Sequence, residues 1–241
     1  MSHPRRFRDH LPFTPAAEAH FRWRGRHVSR VEGFADAVFA FAVTLLIVAL
    51  EVPRTFDGLM EAMRGFPAFV VCFSFLMLFW NAHYRFFRRY GLEDRMTRFL
   101  TLAIVLLVLF SVYPLKFLFG AVLRFGAEHA PHLETAGQLR TIYRIYGLGF
   151  ACIWALYALL ELHGMRMRDA LRLTPAELLA GRESLLGFVI NVAVCFLSIG
   201  LSYCDVGNAT PGFIYMVLGP LLTYNGWWHG RAIRRLATAG P

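Results

Sequence analysis

Residues 30–53 of the chain read RVEGFADAVFAFAVTLLIVALEVP. From position 33 to position 52 the side chains are small or apolar on every side, apart from Asp36, Thr44 and Glu51. An α-helix needs about 20 such residues to cross a hydrocarbon core of about 30 Å. Helix is favoured over strand because a helix satisfies its own backbone hydrogen bonds in lipid. The stretch therefore predicts a first transmembrane helix.

Five further apolar segments follow along the chain. They cover about residues 66–84, 99–119, 142–162, 185–203 and 213–228, and the last contains Gly219-Pro220, which predicts a kink. Of the 241 residues, 57% are hydrophobic and 17% are charged, whereas soluble domains average about 45–50% and about 25%. The sequence predicts an all-α polytopic membrane protein with six transmembrane helices, and it leaves no room for a large soluble catalytic domain.

The placement of the 25 basic residues predicts the orientation. Seven precede the first segment, five lie between the second and third, four between the fourth and fifth, and three follow the sixth, which leaves six for the opposite side. Basic residues concentrate on the cytoplasmic side, so both termini are expected there. The chain divides into a basic N-terminal segment (1–29), a transmembrane domain (30–230) and a short cytoplasmic tail (231–241). The net charge of +9 then reflects orientation, and no nucleic-acid partner is expected.

Two longer connections, 53–65 and 120–141, are predicted to be solvated loops with room for a short helix. Thr174-Pro175-Ala176-Glu177 has the pattern of a capping box and predicts a helix start on the cytoplasmic side, before the fifth span. The sequence shows no internal repeat, which weakens the interpretation as an inverted-repeat transporter.

Asp36 is the charged residue that needs an explanation. A carboxylate at the centre of a bilayer costs about 2.5–3.5 kcal/mol, so it requires a partner or must face protein or water. Arg30 is a candidate partner, either in the same helix or across a subunit boundary. Alternatively, Asp36 is an interfacial residue near the positive end of the helix.

The first span resembles the first helix of the transmembrane protein 175 family of potassium channels. The hallmark of that family is Arg-x-x-x-Phe-Ser-Asp followed by an apolar helix with Thr-Leu-Leu, and here Arg30, Phe34, Asp36 and Thr44-Leu45-Leu46 match it. In the second span, Trp80 and His83 match the family's Trp-x-x-His. We expect these two residues to form a structural or gating network behind Arg30 and Asp36.

The resemblance implies a homotetramer in the plasma membrane of a prokaryote, with the first helix of each subunit lining a central pore. It places the constriction at Phe41 and assigns the neighbouring pore-lining positions to Thr44, Leu45 and Val48. The resemblance also implies that the permeant ion is K⁺ and that the partners are other copies of the chain and membrane lipid. No cofactor or metal site is expected. A ring of apolar side chains gives an ion no oxygen ligands and can gate by dewetting.

Two positions depart from the family pattern. Ala35 replaces the hallmark serine and removes one hydroxyl, and Phe41 stands where the family usually has isoleucine or leucine. Four phenylalanines either tighten a pore or tilt their ring faces toward the ion, which is worth about 0.5–2 kcal/mol to a cation. Periodicity does not choose the pore face, because the opposite face with Phe39, Val43, Leu46 and Leu50 is equally apolar. The Thr44 hydroxyl either faces the pore or bonds back to its own helix.

Two other functions fit parts of the sequence. The first alternative is a proton-coupled secondary transporter that uses Asp36 and His83. The second is a membrane enzyme or scaffold without a pore, although the sequence has no Ser/His/Asp order, His-Glu-x-x-His, phosphate loop or nucleotide fingerprint, and no catalytic residue is predicted.

Overall fold

A computed structural model describes residues 21–48, 54–123, 135–204 and 210–238. In these ranges the chain is helical apart from short connections and the non-helical segment 21–29, and they contain no strand. The helices are, in order, α1 (Arg30–Val48), α2 (Phe56–Arg64), α3 (Phe66–Tyr90), α4 (Arg95–Leu123), α5 (Ala136–Arg166), α6 (Arg168–Leu171), α7 (Pro175–Leu201), α8 (Thr210–Phe213), a 3₁₀ turn (Ile214–Val217) and α9 (Leu218–Thr238).

The long helices pack in two groups. Helices α1, α3 and α4 contact one another, α7 packs against both α5 and α9, and α5 joins the groups through α4 and α3. Aromatic rings fill the space between the groups: Phe79 lies 5.1 Å from Trp154 and 5.9 Å from Phe150, measured between ring centroids. The buried Tyr157 hydroxyl donates to the Phe79 carbonyl at 2.7 Å. This core holds α3 in place, and α3 in turn supports α1.

Among the described residues, four helices are long and apolar enough to cross a membrane: Phe66–Tyr90, Arg95–Gly120, Gly137–Arg166 and Pro175–Leu201. They contain the second, third and fourth predicted spans, and the fifth as far as Leu201, two residues short of its predicted end. Helices α1 and α9 lie where the first and sixth spans are predicted, and residues 49–53 of the first span lie outside the described residues. The all-helical class is therefore confirmed, while the count of six spans and the side of the termini stay predictions.

The helices differ from the predicted segments at their ends. Both α3 and α5 continue past the apolar runs into sequence with basic residues, as far as Tyr90 and Arg166, because helix propagation does not require apolar side chains. The capping box at Thr174 and Glu177 is confirmed, but the helix that it starts is the fifth span itself and not a separate one. A 3₁₀ turn, Ile214–Val217, lies just before Gly219-Pro220, and the kink expected there stays a prediction. Pro220 lies in the first turn of α9, where a missing N–H leaves no helical hydrogen bond unmade.

Candidate pore-lining helix and its anchor

One face of α1 is buried within the protomer. Glu32, Ala35, Phe39, Ala42 and Leu46 are all buried, and their spacing of three or four residues puts them on one side of a helix. Ala35 is fully enclosed, so the position that carries serine in the family hallmark lies in the core and not on the outer face. Phe39 and Leu46 are thereby committed to the protomer's own packing.

The other face of α1 is left uncovered. Phe34, Ala37, Phe41 and Thr44 follow one another at helical spacing, three or four residues apart, and all four are exposed. The two phenylalanines are 52% and 54% exposed. Leu45 is half-buried, and the side chain of Val48 lies outside the described residues. The two phenylalanines of this stripe are thus large apolar side chains that the protomer does not use in its own core.

The Thr44 hydroxyl donates to the Ala40 carbonyl at 3.0 Å, one turn earlier in α1. The sequence leaves two roles open for this hydroxyl, to face the pore or to bond back to its own helix, and in the structure it makes the bond to its own helix. The side chain is nevertheless exposed, so the oxygen keeps a free lone pair on the uncovered face.

Asp36 is paired with the second helix that the hallmark involves. The indole Nε1 of Trp80 donates to Oδ1 of Asp36 at 2.9 Å, and the Trp80 ring stacks on Tyr84 with centroids 5.5 Å apart. Arg30 is exposed and makes no hydrogen bond or ion pair with Asp36. Within the described part of the protomer the partner of Asp36 is therefore Trp80, and pairing with Arg30 of another subunit stays a prediction.

His83 lies behind this contact and is fully buried. Its ring packs against Phe87 at 4.8 Å and against Phe39 of α1 at 6.0 Å, between centroids. The described residues supply neither ring nitrogen with a hydrogen-bond partner. Asp36 and His83, the pair that a proton-coupled transporter would use, do not hydrogen-bond to each other.

The start of α1 is anchored by contacts that sequence reasoning missed. The Glu32 carboxylate forms an ion pair with Arg88 of α3, and both side chains are nearly buried. Glu32 and Ser29 also form a reciprocal cap, with Ser29 Oγ accepting from the Glu32 N–H at 3.1 Å and Glu32 Oε2 accepting from the Ser29 N–H at 3.3 Å. The signal was available, since Ser29-x-x-Glu32 has the capping-box spacing.

A second buried polar cluster joins the two helix groups. The Tyr90 hydroxyl donates to the Glu161 carboxylate at 2.7 Å, and Arg89 lies 3.7 Å from the same oxygen. Arg89 also donates to the Ser184 hydroxyl at 2.7 Å. The cluster ties α3 to α5 and α7 at the end of the bundle where α1 begins.

Comparison with known proteins adds to this geometry. The family model described as endosomal/lysosomal potassium channel TMEM175 matches residues 30–114, which include α3 and α1 with its uncovered stripe. A protein of Marivirga tractuosa named "Potassium channel" is 31% identical over 233 residues, covering 90% of this chain and 93% of that protein. The chain belongs to the TMEM175 family. It is therefore a multi-pass membrane protein of a family of ion channels and not of enzymes.

Solved structures agree with the membership in the TMEM175 family. A crystal structure of a single-residue variant of the potassium channel MtTMEM175, in complex with a nanobody–MBP fusion protein, superposes with a TM-score of 0.74 at 28% identity and covers 88% of this chain and 97% of that one. A second structure, of a lysosomal potassium-selective channel TMEM175 homologue from Chamaesiphon minutus, has the same fold with a TM-score of 0.57 at 20% identity, covering 82% and 96%.

Proposed function

We propose that this TMEM175 chain is a potassium-preferring cation channel, a homotetramer in which α1 of each subunit lines a central pore. One observation carries the proposal: α1 buries one face in its own protomer and leaves Phe34, Ala37, Phe41 and Thr44 uncovered. Residues at four-three spacing form the seam along which nearly parallel helices meet. The relative from Marivirga tractuosa, named a potassium channel, aligns over nearly the whole chain and supports the same function.

The filter in this proposal is a hydrophobic constriction at Phe41, with Thr44, Leu45 and Val48 beyond it. An ion that passes a ring of phenyl groups sheds part of its hydration shell and receives no oxygen ligands in return. Na⁺ holds its water more tightly than K⁺ and so faces the higher barrier. The ring faces return part of the cost through cation–π attraction of about 0.5–2 kcal/mol.

The remaining parts of the proposal concern topology and location. Six helices span the membrane, α1 and α9 being the first and the last, with both termini in the cytoplasm. The excess of arginine at the predicted cytoplasmic ends supports this orientation. Relatives in Marivirga tractuosa and Streptomyces collinus are consistent with the plasma membrane of a prokaryote.

The test is ion flux through the purified protein in liposomes, together with its mass in detergent. We expect a tetramer that conducts K⁺ at channel rates and conducts Na⁺ more slowly. A well-folded tetramer without K⁺ flux contradicts the proposal. Saturable, pH-driven uptake at far lower rates would instead identify the transporter that uses Asp36 and His83.

A further inference from the structure

The non-helical segment of residues 21–29, which we term the strap, leads into α1 and lies against the end of α3. The backbone N–H groups of Arg24 and Gly25 both donate to the Arg88 carbonyl, at 3.1 and 3.3 Å. That carbonyl belongs to the last turn of α3, where carbonyls have no partner within the helix. Arg88 returns the contact by donating to the Gly25 carbonyl at 2.7 Å. The strap therefore caps α3 and shares Arg88 with Glu32 of α1.

Gly25 is the point of closest approach. A Cβ atom at this position would lie 2.2 Å from the Phe87 carbonyl oxygen, so only glycine permits the strap to lie so near to α3. Gly91, which ends α3 with φ of 60°, faces the same spot, and its Cβ would lie 3.0 Å from the Gly25 nitrogen. Gly25 and Gly91 thus allow the backbone of the strap to pack directly against the backbone at the end of α3.

Arg24 joins the strap to α7. Its Nη1 and Nη2 atoms donate to Oε1 and Oε2 of Glu177, each at 2.9 Å, and its Nε donates to the Leu171 carbonyl at 3.0 Å. Oε1 of Glu177 also accepts from the Arg22 N–H at 2.9 Å. The Glu177 side chain is 2% exposed and that of Arg24 is 11% exposed. A bidentate, nearly buried ion pair of this kind is stronger and more directional than an ion pair on the surface.

The strap is also linked, through aromatic contacts, to Asp36, the carboxylate of the hallmark. Trp23 meets Tyr84 edge-to-face with centroids 6.1 Å apart, and Tyr84 stacks on Trp80, which bonds Asp36. Two continuous routes therefore run from the strap to α1, one through Arg88 to Glu32 and one through Tyr84 and Trp80.

We infer that the Arg24–Glu177 pair is a latch that positions the cytoplasmic end of α1 and thereby sets the width of the pore. Both routes tie α1 to its own protomer: one ends on the buried Glu32, and the other ends on Asp36, which is half-buried and borders the uncovered stripe. The uncovered side carries Phe34 and Phe41, which gain by meeting their copies in neighbouring subunits. The latch opposes this approach of the four α1 helices toward one another, so its release narrows the pore. This inference rests on the proposed function.

The test uses two single variants that remove the latch by different means. Arg24→Gln removes the guanidinium, and Glu177→Gln keeps the capping box, because glutamine also serves at that position, while it removes the charge. We expect each variant to stay tetrameric and to lower K⁺ flux in liposomes by about fivefold or more, and Arg24→Lys to be intermediate because an ammonium cannot bind both oxygens in parallel.

Arg26→Gln is the matched control. Arg26 is an exposed arginine of the same strap, its side chain makes no hydrogen bond or ion pair with Glu177, and the variant loses the same charge. We expect its flux to equal that of the unmodified channel. Hydrogen exchange of the first two turns of α1 supplies a second measurement that does not depend on conduction, and it should accelerate in Arg24→Gln and Glu177→Gln only.

The outcomes separate the latch from the channel proposal. Unchanged flux and unchanged exchange in α1 for both latch variants overturn the latch. Lower flux with a general loss of stability and no selective change in α1 assigns the pair a merely structural role and also overturns it. If the unmodified protein does not conduct, the channel proposal fails, and accelerated exchange in α1 still shows whether the pair positions this helix.

Discussion

The indole N–H of Trp80 donates to the carboxylate of Asp36, with 2.9 Å between Nε1 and Oδ1. A neutral donor satisfies one oxygen of the carboxylate but does not neutralise its charge. Asp36 is half-buried, and its side of α1 borders the uncovered stripe. The contact therefore fixes the orientation of the carboxylate while its negative charge remains available to a cation outside the protomer.

This contact predicts an order of stability between two variants. Trp80→Phe keeps an aromatic ring to stack on Tyr84 but leaves the carboxylate without its donor, which costs about 1–3 kcal/mol. Asp36→Asn keeps an acceptor for the indole and removes the charge, so the loss is smaller. Thermal unfolding in detergent gives the comparison. If Asp36→Asn proves the more destabilising variant, the carboxylate has a cationic partner in another subunit, for which the exposed Arg30 is the candidate.

Phe41 predicts the ion selectivity of the proposed pore. Phe41→Ala widens the constriction, so both ions pass faster and the gain is larger for Na⁺, the ion with the higher dehydration barrier. We expect the K⁺ to Na⁺ flux ratio to fall about fivefold, equivalent to about 1 kcal/mol in the difference between barriers. Liposome flux with each cation measures the ratio.

Ile47→Ala is the control for Phe41, because Ile47 is also an exposed apolar residue of α1 but lies about 120° away around the helix. The K⁺ to Na⁺ flux ratio of Ile47→Ala should equal that of the unmodified protein. Equal effects of the two substitutions would mean that the uncovered stripe does not face the conduction path.

The helices can be located from the sequence because a membrane span is encoded in one continuous stretch of about 20 apolar residues. The capping box at Thr174 is local too, and the sequence predicts it correctly. The choice between the two faces of α1 is not local. Phe39 and Phe41 look equivalent in the sequence, and only the packing of α3 and α4 against α1 buries one and exposes the other.

The contacts around the start of α1 cannot be predicted from the sequence for the same reason. Arg24 and Glu177 are 153 residues apart, and each taken alone is one charged residue among many at the ends of apolar segments. Positive charge at these ends indicates orientation. That signal does not distinguish exposed arginines such as Arg26 from Arg24, Arg88 and Arg89, which are held in specific ion pairs.

Asp94, in the turn between α3 and α4, predicts a dependence of stability on acid pH. Burial raises the pKa of its carboxyl group, but hydrogen bonds from Thr97, His163 and the Met96 N–H, together with the charge of His163, outweigh burial and hold that pKa below its ordinary value of 3.8. A carboxyl group with a lowered pKa in the folded state stabilises the fold above its ordinary pKa, and this contribution is lost as the pH falls through the folded-state pKa.

Asp94→Asn is therefore expected to lower the unfolding temperature at neutral pH and to flatten its decline below about pH 4. Thermal unfolding in detergent between neutral and strongly acid pH provides the measurement. Glu93→Gln is the control, since Glu93 is an exposed carboxylate one residue earlier in the same turn. A parallel decline in Asp94→Asn and the unmodified protein would show that the contacts of Asp94 do not contribute.

Two glycines of α5 predict opposite effects of the same substitution. A Cβ on Gly164 would lie 2.9 Å from two ring carbons of Tyr90, and Tyr90 cannot yield because it is buried and bonded to Glu161. Gly164→Ala should destabilise the protein by about 1–3 kcal/mol through overpacking. A Cβ on Gly149 would meet nothing within 4 Å, so Gly149→Ala should stabilise the helix by about 0.5–1 kcal/mol.

Unfolding of the two variants in detergent, under the same conditions, measures the difference. Because the clash is with Tyr90, the cost of Gly164→Ala should shrink when it is combined with Tyr90→Leu, whereas the effect of Gly149→Ala should simply add to that of Tyr90→Leu. Additive behaviour at Gly164 would mean that Tyr90 does not resist the new methyl group. The packing of α3 against α5, which supports the anchor of α1, would then be less tight than the buried contacts of Tyr90 indicate.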